Sequence, residues 1–272
     1  MHVTRRTVLV AAAVGALGTL VGCGRSDGSS GGSGMASARV TYGDDPSQWV
    51  DRYDVPAGVP VRATAVAVIH GGFWRSEYDA SLGAPLAEDL AKRGWPAWNV
   101  EYRRVGDGGG WPSTLDDVKA ALAAVTADKI VLLGHSAGGQ LAVWASSEAS
   151  LAPRIAGAVS QAGVLDLVGA ADNGVGGSAV PDLLGGSPTE VPDRYASASP
   201  LAHLPLAVPV RCVHAKGDLN VPYGQSETYV TAATAAGDDA TLTTVDGDHF
   251  TLIDTSTPAW TSIVGLIEGL SA

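Results

Sequence analysis

The stretch Gly134-His135-Ser136-Ala137-Gly138 constrains this chain more than any other. It follows an apolar run, residues 130–133, that reads as a buried strand, and it opens residues 137–146, which read as a helix. A strand that turns at once into a helix needs glycine on both flanks of the turning residue, because the backbones come too close for a Cβ. Such a turn lifts the Ser136 Oγ above the sheet, with a helix N-terminus beneath it to favour developing negative charge. The spacing G-x-S-x-G recurs at residues 24–28 and 28–32. Those copies lie in a Gly/Ser-rich stretch with no strand or helix to strain the serine, so Ser136 alone is read as a nucleophile.

From residue 39 onward apolar runs alternate with helical patterns. Strands are expected at 63–69, 96–102, 129–134, 155–162, 208–214 and 240–245, and helices at 82–93, 115–125, 137–146, 226–236 and 259–270. Ser113 or Thr114 is the expected cap of the second helix, and Gly94 closes the first. This alternation predicts a largely parallel sheet with helices on both faces and no second domain. Residues 164–209 break the pattern with Asn173-Gly174, Gly176-Gly177, Gly185-Gly186 and several prolines. They are expected to be loops with one short helix, forming a short cap insertion.

A second motif, His70-Gly71-Gly72-Phe73-Trp74, directly follows the run 63–69. With the serine turn it resembles the HGG group of esterases and lipases in the α/β-hydrolase superfamily. Phe73 stands where the lipase form has a third glycine. The HGG-x-W variant is similar to kynurenine formamidase-like and feruloyl-esterase-like carboxylesterases. Leu183-Leu184-Gly185-Gly186-Ser187-Pro188, Tyr195 and Ser199-Pro200 resemble the connection in formamidase-like esterases and in prolyl-oligopeptidase catalytic domains, whose propeller is missing. Glu101-Tyr102-Arg103 resembles their strand end and is taken as structural. The resemblance covers nearly all of residues 42–270 and implies the α/β-hydrolase fold, a mostly parallel central sheet with helices on both faces. It also implies an oxyanion hole made by the N–H groups of Gly72 or Phe73 and of Ala137.

In that fold the catalytic residues follow the order nucleophile, acid, base. Of six histidines, His2 belongs to the leader, His70 to the oxyanion loop and His135 to the serine turn. His214 lies in an expected strand as a satisfied core histidine, and His203 precedes a Pro-rich segment. His249, in the loop Asp246-Gly247-Asp248-His249-Phe250, is left as the base. The segment His214-Ala215-Lys216-Gly217-Asp218-Leu219-Asn220-Val221-Pro222 resembles the superfamily's acid turn, which makes Asp218 the acid. Asp166, after the strand 155–162, is a rival for that role. Asp248 is read as turn chemistry.

Other chemistries find no support in the sequence. There is no HExxH and no cysteine cluster, so neither metal nor cofactor is expected. Gly106 to Gly110 lacks the Lys-Ser/Thr of a phosphate loop and reads as a loop lining the site. Phe73, Trp74 and Trp111 are expected to form an apolar wall for an acyl or aryl group. A formal net charge of -11 argues against nucleic acid and against a polybasic hold on anionic lipid.

The N-terminus reads as an address. Arg5-Arg6 before the apolar run 8–21 resembles a twin-arginine export signal, and Leu20-Val21-Gly22-Cys23 resembles a bacterial lipobox. Residues 1–22 are therefore expected to be a signal peptide and 23–38 a tether lipidated at Cys23, with 39–272 as the hydrolase domain. The protein is expected outside the cell membrane, anchored by lipid. Cys212, the other cysteine, is then an unpaired buried thiol. The expected activity is that of a serine hydrolase cleaving carboxylic esters through an acyl-enzyme. An arylformamidase, a small serine peptidase, or a lipid-anchored binding module on the same fold are the other readings. The substrate is a small-molecule ester or amide, and the oligomeric state stays open.

Overall fold

The computed structural model describes residues 37–271. The expected signal peptide and the lipidation site Cys23 lie outside these residues. The strands are β1 (Ser37–Thr41), β2 (Trp49–Tyr53), β3 (Ala65–Ile69), β4 (Ala97–Val100), β5 (Ile130–His135), β6 (Ile155–Gln161), β7 (Val210–Ala215) and β8 (Ala240–Val245). They form one sheet in the order β1-β2-β4-β3-β5-β6-β7-β8. β1 and β2 pair antiparallel with each other, β2 pairs antiparallel with β4, and every other neighbour is parallel.

Side chains along a strand alternate between its faces, so a strand covered on both sides must be apolar throughout. Ala65, Ala67 and Ile69 of β3 join one core, and Val66 and Val68 join the other. β5 divides likewise, Ile130 and Leu132 against Val131 and Leu133. Helices α1 (Ala84–Lys92) and α8 (Pro258–Leu270) cover one face. Helices α2 (Ser113–Ala124), α3 (Ala137–Ala145) and α7 (Gly224–Ala235) cover the other. α8 buries Ala259, Trp260, Ile263, Val264, Ile267 and Leu270 at helical spacing. It starts at Pro258, with Thr257 Oγ1 accepting the Trp260 N–H at 3.2 Å.

Three expectations need correction. The tether does not reach residue 38, because β1 begins at Ser37 and forms an edge hairpin with β2. That hairpin carries polar residues on its open side, including an Arg39–Asp51 ion pair at 2.8 Å, and so lacks the continuous apolar signal of the inner strands. Neither Ser113 nor Thr114 caps α2. Thr114 Oγ1 instead donates to the Arg103 carbonyl at 2.6 Å and accepts the Gly110 N–H at 2.9 Å. The cap insertion holds three short helices rather than one, α4 (Leu167–Asp172), α5 (Ala179–Leu184) and α6 (Pro192–Ala198). Each spans too few turns for an apolar period to register in the sequence.

The chain leaves β3 for β4 on one side and then crosses to β5 on the other. The carboxyl ends of β3 and β5 therefore flank a topological switch point, where open α/β sheets bind ligands. The two motifs read from the sequence sit at those two strand ends.

Candidate active site

Ser136 joins β5 to α3 with φ 55° and ψ -120°, backbone angles that strain a residue carrying a Cβ. Close contact on both flanks enforces the turn. A Cβ on Gly134 would lie 2.0 Å from the Gly138 carbonyl oxygen, and one on Gly138 would lie 2.1 Å from the Ile69 oxygen. The Ser136 N–H donates to the Gln161 carbonyl at 2.8 Å, tying the turn to the end of β6.

The loop after β3 runs against this turn. Gly72, Phe73 and Trp74 have consecutive positive φ values of 112°, 51° and 57°. Only glycine fits at the first, since a Cβ there would sit 2.3 Å from Tyr78 Cβ. The two aromatic residues are held in this costly conformation from outside. The buried Trp74 indole donates to Gln140 Oε1 at 3.0 Å, and Gln140 Nε2 donates to the Ala198 carbonyl at 2.9 Å. Phe73 packs on the cap loop, where a Cβ on Gly176 would come within 2.5 Å of its ring. Arg75 Nη2 reaches the Gly176 carbonyl at 2.8 Å. Among the described residues no acceptor takes the backbone N–H of Gly72, Phe73 or Ala137. These donors stand free beside the serine, as an oxyanion hole requires.

His70 is a strut beneath the loop. Its Nδ1 lies 2.8 Å from the Gly71 carbonyl and its Nε2 lies 3.1 Å from Glu101 Oε1. Its ring stacks on Tyr102, whose hydroxyl donates to the His70 carbonyl at 2.9 Å. Glu101 also accepts the N–H groups of Ala80 and Tyr102.

Asp218 and His249 arrive on the turns after β7 and β8. His249 Nδ1 donates to Asp218 Oδ2 at 2.6 Å, and both residues are buried. The second carboxylate oxygen, Oδ1, accepts the N–H groups of Asn220 at 2.8 Å and Val221 at 2.9 Å. Burial by itself raises the Asp218 carboxyl. The His214 ring beside it and hydrogen bonds from His249 and the Val221 amide outweigh this and hold the group well below the usual carboxylate range. The base loop is caught by two side chains at the ends of neighbouring strands. His135 Nε2 donates to the His249 carbonyl at 3.0 Å, and Gln161 Nε2 donates to the Leu252 carbonyl. Burial and the nearby His249 ring push the His135 imidazole down to about 3, so it stays neutral.

Ser136, His249, Gly72 and Phe73 share one cavity of about 70 Å³, closed by Tyr78, Leu82, Phe250 and Ile253. Phe250 and Tyr78 are also partly open to solvent at the rim. Trp74 and Trp111, expected to wall this space, do not reach it. Trp74 is buried on Gln140, and Trp111 packs half-buried against the core with its N–H on the Leu183 carbonyl. The glycine loop 106–110 does not line it either. The rival carboxylates are occupied elsewhere. Asp166 caps α4 through the Gly169 N–H at 3.0 Å, and Asp248 accepts from Phe250 and Thr251 in its own turn. Sequence reasoning missed Gln161, Gln140 and Ser226, which no motif marks, and placed His135 in the serine turn without its bond to the His249 carbonyl. It read His214 as a satisfied core histidine, which it is, and its ring also lies 3.3 Å from Asp218. Among the described residues no three His, Cys, Asp or Glu side chains group as a metal site needs.

Residues 54–232 match the protein-family model described as BD-FAE. Over 124 residues the chain is 36% identical to Esterase LipC of Mycobacterium tuberculosis, a match covering 41% of this chain and 30% of that protein. The chain thus spans less than a third of that relative's length in the matched region. A truncated carbohydrate esterase from gut microbiota superposes with a TM-score of 0.71 at 22% identity, covering 88% of this chain and 98% of that one. Esterase 2 of the planctomycete Thermogutta terrifontis gives 0.66 at 22% identity, covering 86% and 90%. Its sarin-phosphonylated form gives 0.67 at 20% identity, covering 86% and 93%. Similarity at this level establishes the fold, which is the α/β-hydrolase fold.

Proposed function

This chain belongs to the BD-FAE family, and from that premise we propose that it is a serine hydrolase of carboxylic esters. Ser136 Oγ attacks the ester carbonyl while His249 Nε2 takes its proton. Asp218, on Nδ1 at 2.6 Å, keeps the ring in that tautomer and stabilises the imidazolium. The N–H groups of Ala137 and of Gly72 or Phe73 receive the oxyanion. Collapse expels the alcohol, which takes the proton back from His249. Water, activated by the same ring, then releases the acid from the acyl-enzyme.

The observation that carries this reading is the Asp218–His249 bond arriving, from two separate turns, in the cavity that holds the strained serine. The cavity is small, about 70 Å³. It suits a short acyl group, with the alcohol lying across the open rim of Tyr78 and Phe250.

The test is a fluorophosphonate probe with turnover of aryl esters of graded chain length, an N-formyl aniline and an aminoacyl anilide. Ser136 alone should label, and Ser136→Ala should lose both labelling and about 10⁶-fold in kcat. Short-chain esters should be the best substrates. Labelling at another residue, or full turnover by Ser136→Ala, rejects the mechanism. Faster turnover of the formanilide or the anilide moves the activity to those classes.

From the twin arginines and Leu20-Val21-Gly22-Cys23 we further propose export and lipid anchoring at Cys23. A fatty-acid analogue should label wild type and not Cys23→Ala, and equal labelling rejects the anchor. One acyl chain binds only marginally, so stable anchoring implies more than one.

A further inference from the structure

Asp218 has a second imidazole on it. His214, in β7, is fully buried. Its Nε2 lies 3.3 Å from Asp218 Oδ2 and 3.0 Å from the Val221 carbonyl. Both neighbours are acceptors, so Nε2 carries a proton; it is directed at the Val221 carbonyl, and Asp218 Oδ2 lies beside it within ion-pair distance. Nδ1 lies 2.8 Å from the Ser226 hydroxyl of α7. With the proton on Nε2, Nδ1 is the acceptor and Ser226 donates. Ser226 is also fully buried, with the Cys212 thiol against the same hydroxyl. Oδ2, the atom that His214 approaches, is also the one that receives the His249 Nδ1 proton.

We propose that His214 is a positioning residue for the reaction, holding Asp218 between two imidazoles, with Ser226 fixing its tautomer. This rests on the serine-hydrolase reading of Ser136, His249 and Asp218. The arrangement does two things that one imidazole cannot. It pins the carboxylate from the core side, so that Oδ2 stays on the line to His249. It also withdraws part of the negative potential from Oδ2, so that the His249 imidazolium is stabilised less than by an unshared carboxylate. The base is then neutral, and able to act, down to a lower pH. The other titratable groups facing the cluster are His135 across the base loop, Tyr223 at 5.5 Å from the His214 ring, Cys212 behind Ser226, and Asp248. Lys216 lies over Tyr223 at 5.7 Å.

The test compares His214→Leu, His214→Gln and Ser226→Ala in the full-length protein. Gln keeps an N–H donor at about the reach of Nε2, and Leu has none. Removing a buried polar group from beside a charged one corresponds to about a tenfold to hundredfold effect. His214→Leu should therefore lower kcat by about that factor with KM little changed, and His214→Gln should recover most of it. The acid limb of the kcat/KM profile should move upward by about one pH unit, a tenfold change in the protonation equilibrium. Ser226→Ala, a milder change should Leu fail to fold, should move it in the same direction by less. The His249 ring resonances, titrated by NMR in a Ser136→Ala background, should shift upward in the same order without any need for turnover. An unmoved limb and an unmoved titration in His214→Leu or Ser226→Ala overturn the proposal, as does equal loss in Leu and Gln. Turnover by Ser136→Ala itself would instead reject the functional reading, and the NMR titration then still decides how His214 acts on Asp218.

Discussion

The two halves of the candidate site are built by different physics. The nucleophile half, Ser136 with the loop 70–74, is shaped by main chain. Four residues here have positive φ, Gly72, Phe73, Trp74 and Ser136, and the glycines among and beside them sit where a Cβ would meet backbone or Tyr78 within 2.0–2.8 Å. The acid–base half has ordinary backbone at Asp218 and His249, and side chains from elsewhere in the fold hold it. His214 and two turn amides hold the acid, and His135 and Gln161 hold the base loop. The lesson is that one site tolerates substitution in opposite ways. On the nucleophile half any added atom is harmful, whereas on the acid–base half the loss of one donor is.

The sharpest break of this contrast is Asp218→Asn. It keeps the size of the side chain and stabilises the wrong His249 tautomer, so kcat should fall by about 10⁴ in a protein that still folds. If Asp218→Asn keeps its kcat and Asp166→Asn is dead, the acid is the other carboxylate. Next comes Gly72→Ala, which adds one methyl against Tyr78. Displacing the loop donors should lower kcat by about 10² to 10³. A Gly72→Ala enzyme with normal kcat means that the loop N–H groups do not receive the oxyanion.

A smaller effect separates the halves by pH. The unfolded His135 ring titrates near 6.5 and the buried one near 3. Between those values the unfolded chain binds the extra proton, so stability is present above 6.5 and is lost as pH falls toward 3. The slope is up to about 1.4 kcal/mol per pH unit. The depressed Asp218 carboxyl adds loss of the same sign only below the ordinary carboxylate range. Urea unfolding at steps from pH 7 to 4 should therefore show a shallower decline in His135→Gln than in wild type. Parallel curves would mean that His135 is not buried neutral. The smallest effect belongs to Asp166→Ala. Losing an N-cap should lower stability by about 1 kcal/mol and leave kcat intact, which marks the rival carboxylate as scaffold.

Legibility followed the same division. The elbow, the glycine turn at 70–74 and the inner strands could be read because each rests on local rules: glycine where a Cβ cannot fit, and an apolar run where both faces are covered. Asp218 and His249 were reachable through chain order and the acid-turn resemblance. The cap helices were too short for their period to register, and the β1–β2 hairpin alternates polar and apolar too weakly. Trp74 read as a wall of the substrate site because nothing in His70-Gly71-Gly72-Phe73-Trp74 tells which way an aromatic turns. Only the packed chain, through Gln140, turned it into the core.

By itself, then, the sequence determined the inner strands of the sheet, the elbow and which serine turns upward, since these follow from backbone sterics and burial over a dozen residues. The tertiary structure alone decided what grips the acid and the base. His214 sits four residues before Asp218 and Ser226 eight after it, while His135 lies 114 residues from the carbonyl it holds. A hydrogen bond depends on distance and angle between atoms that only folding brings together, and no residue type announces its partner in advance.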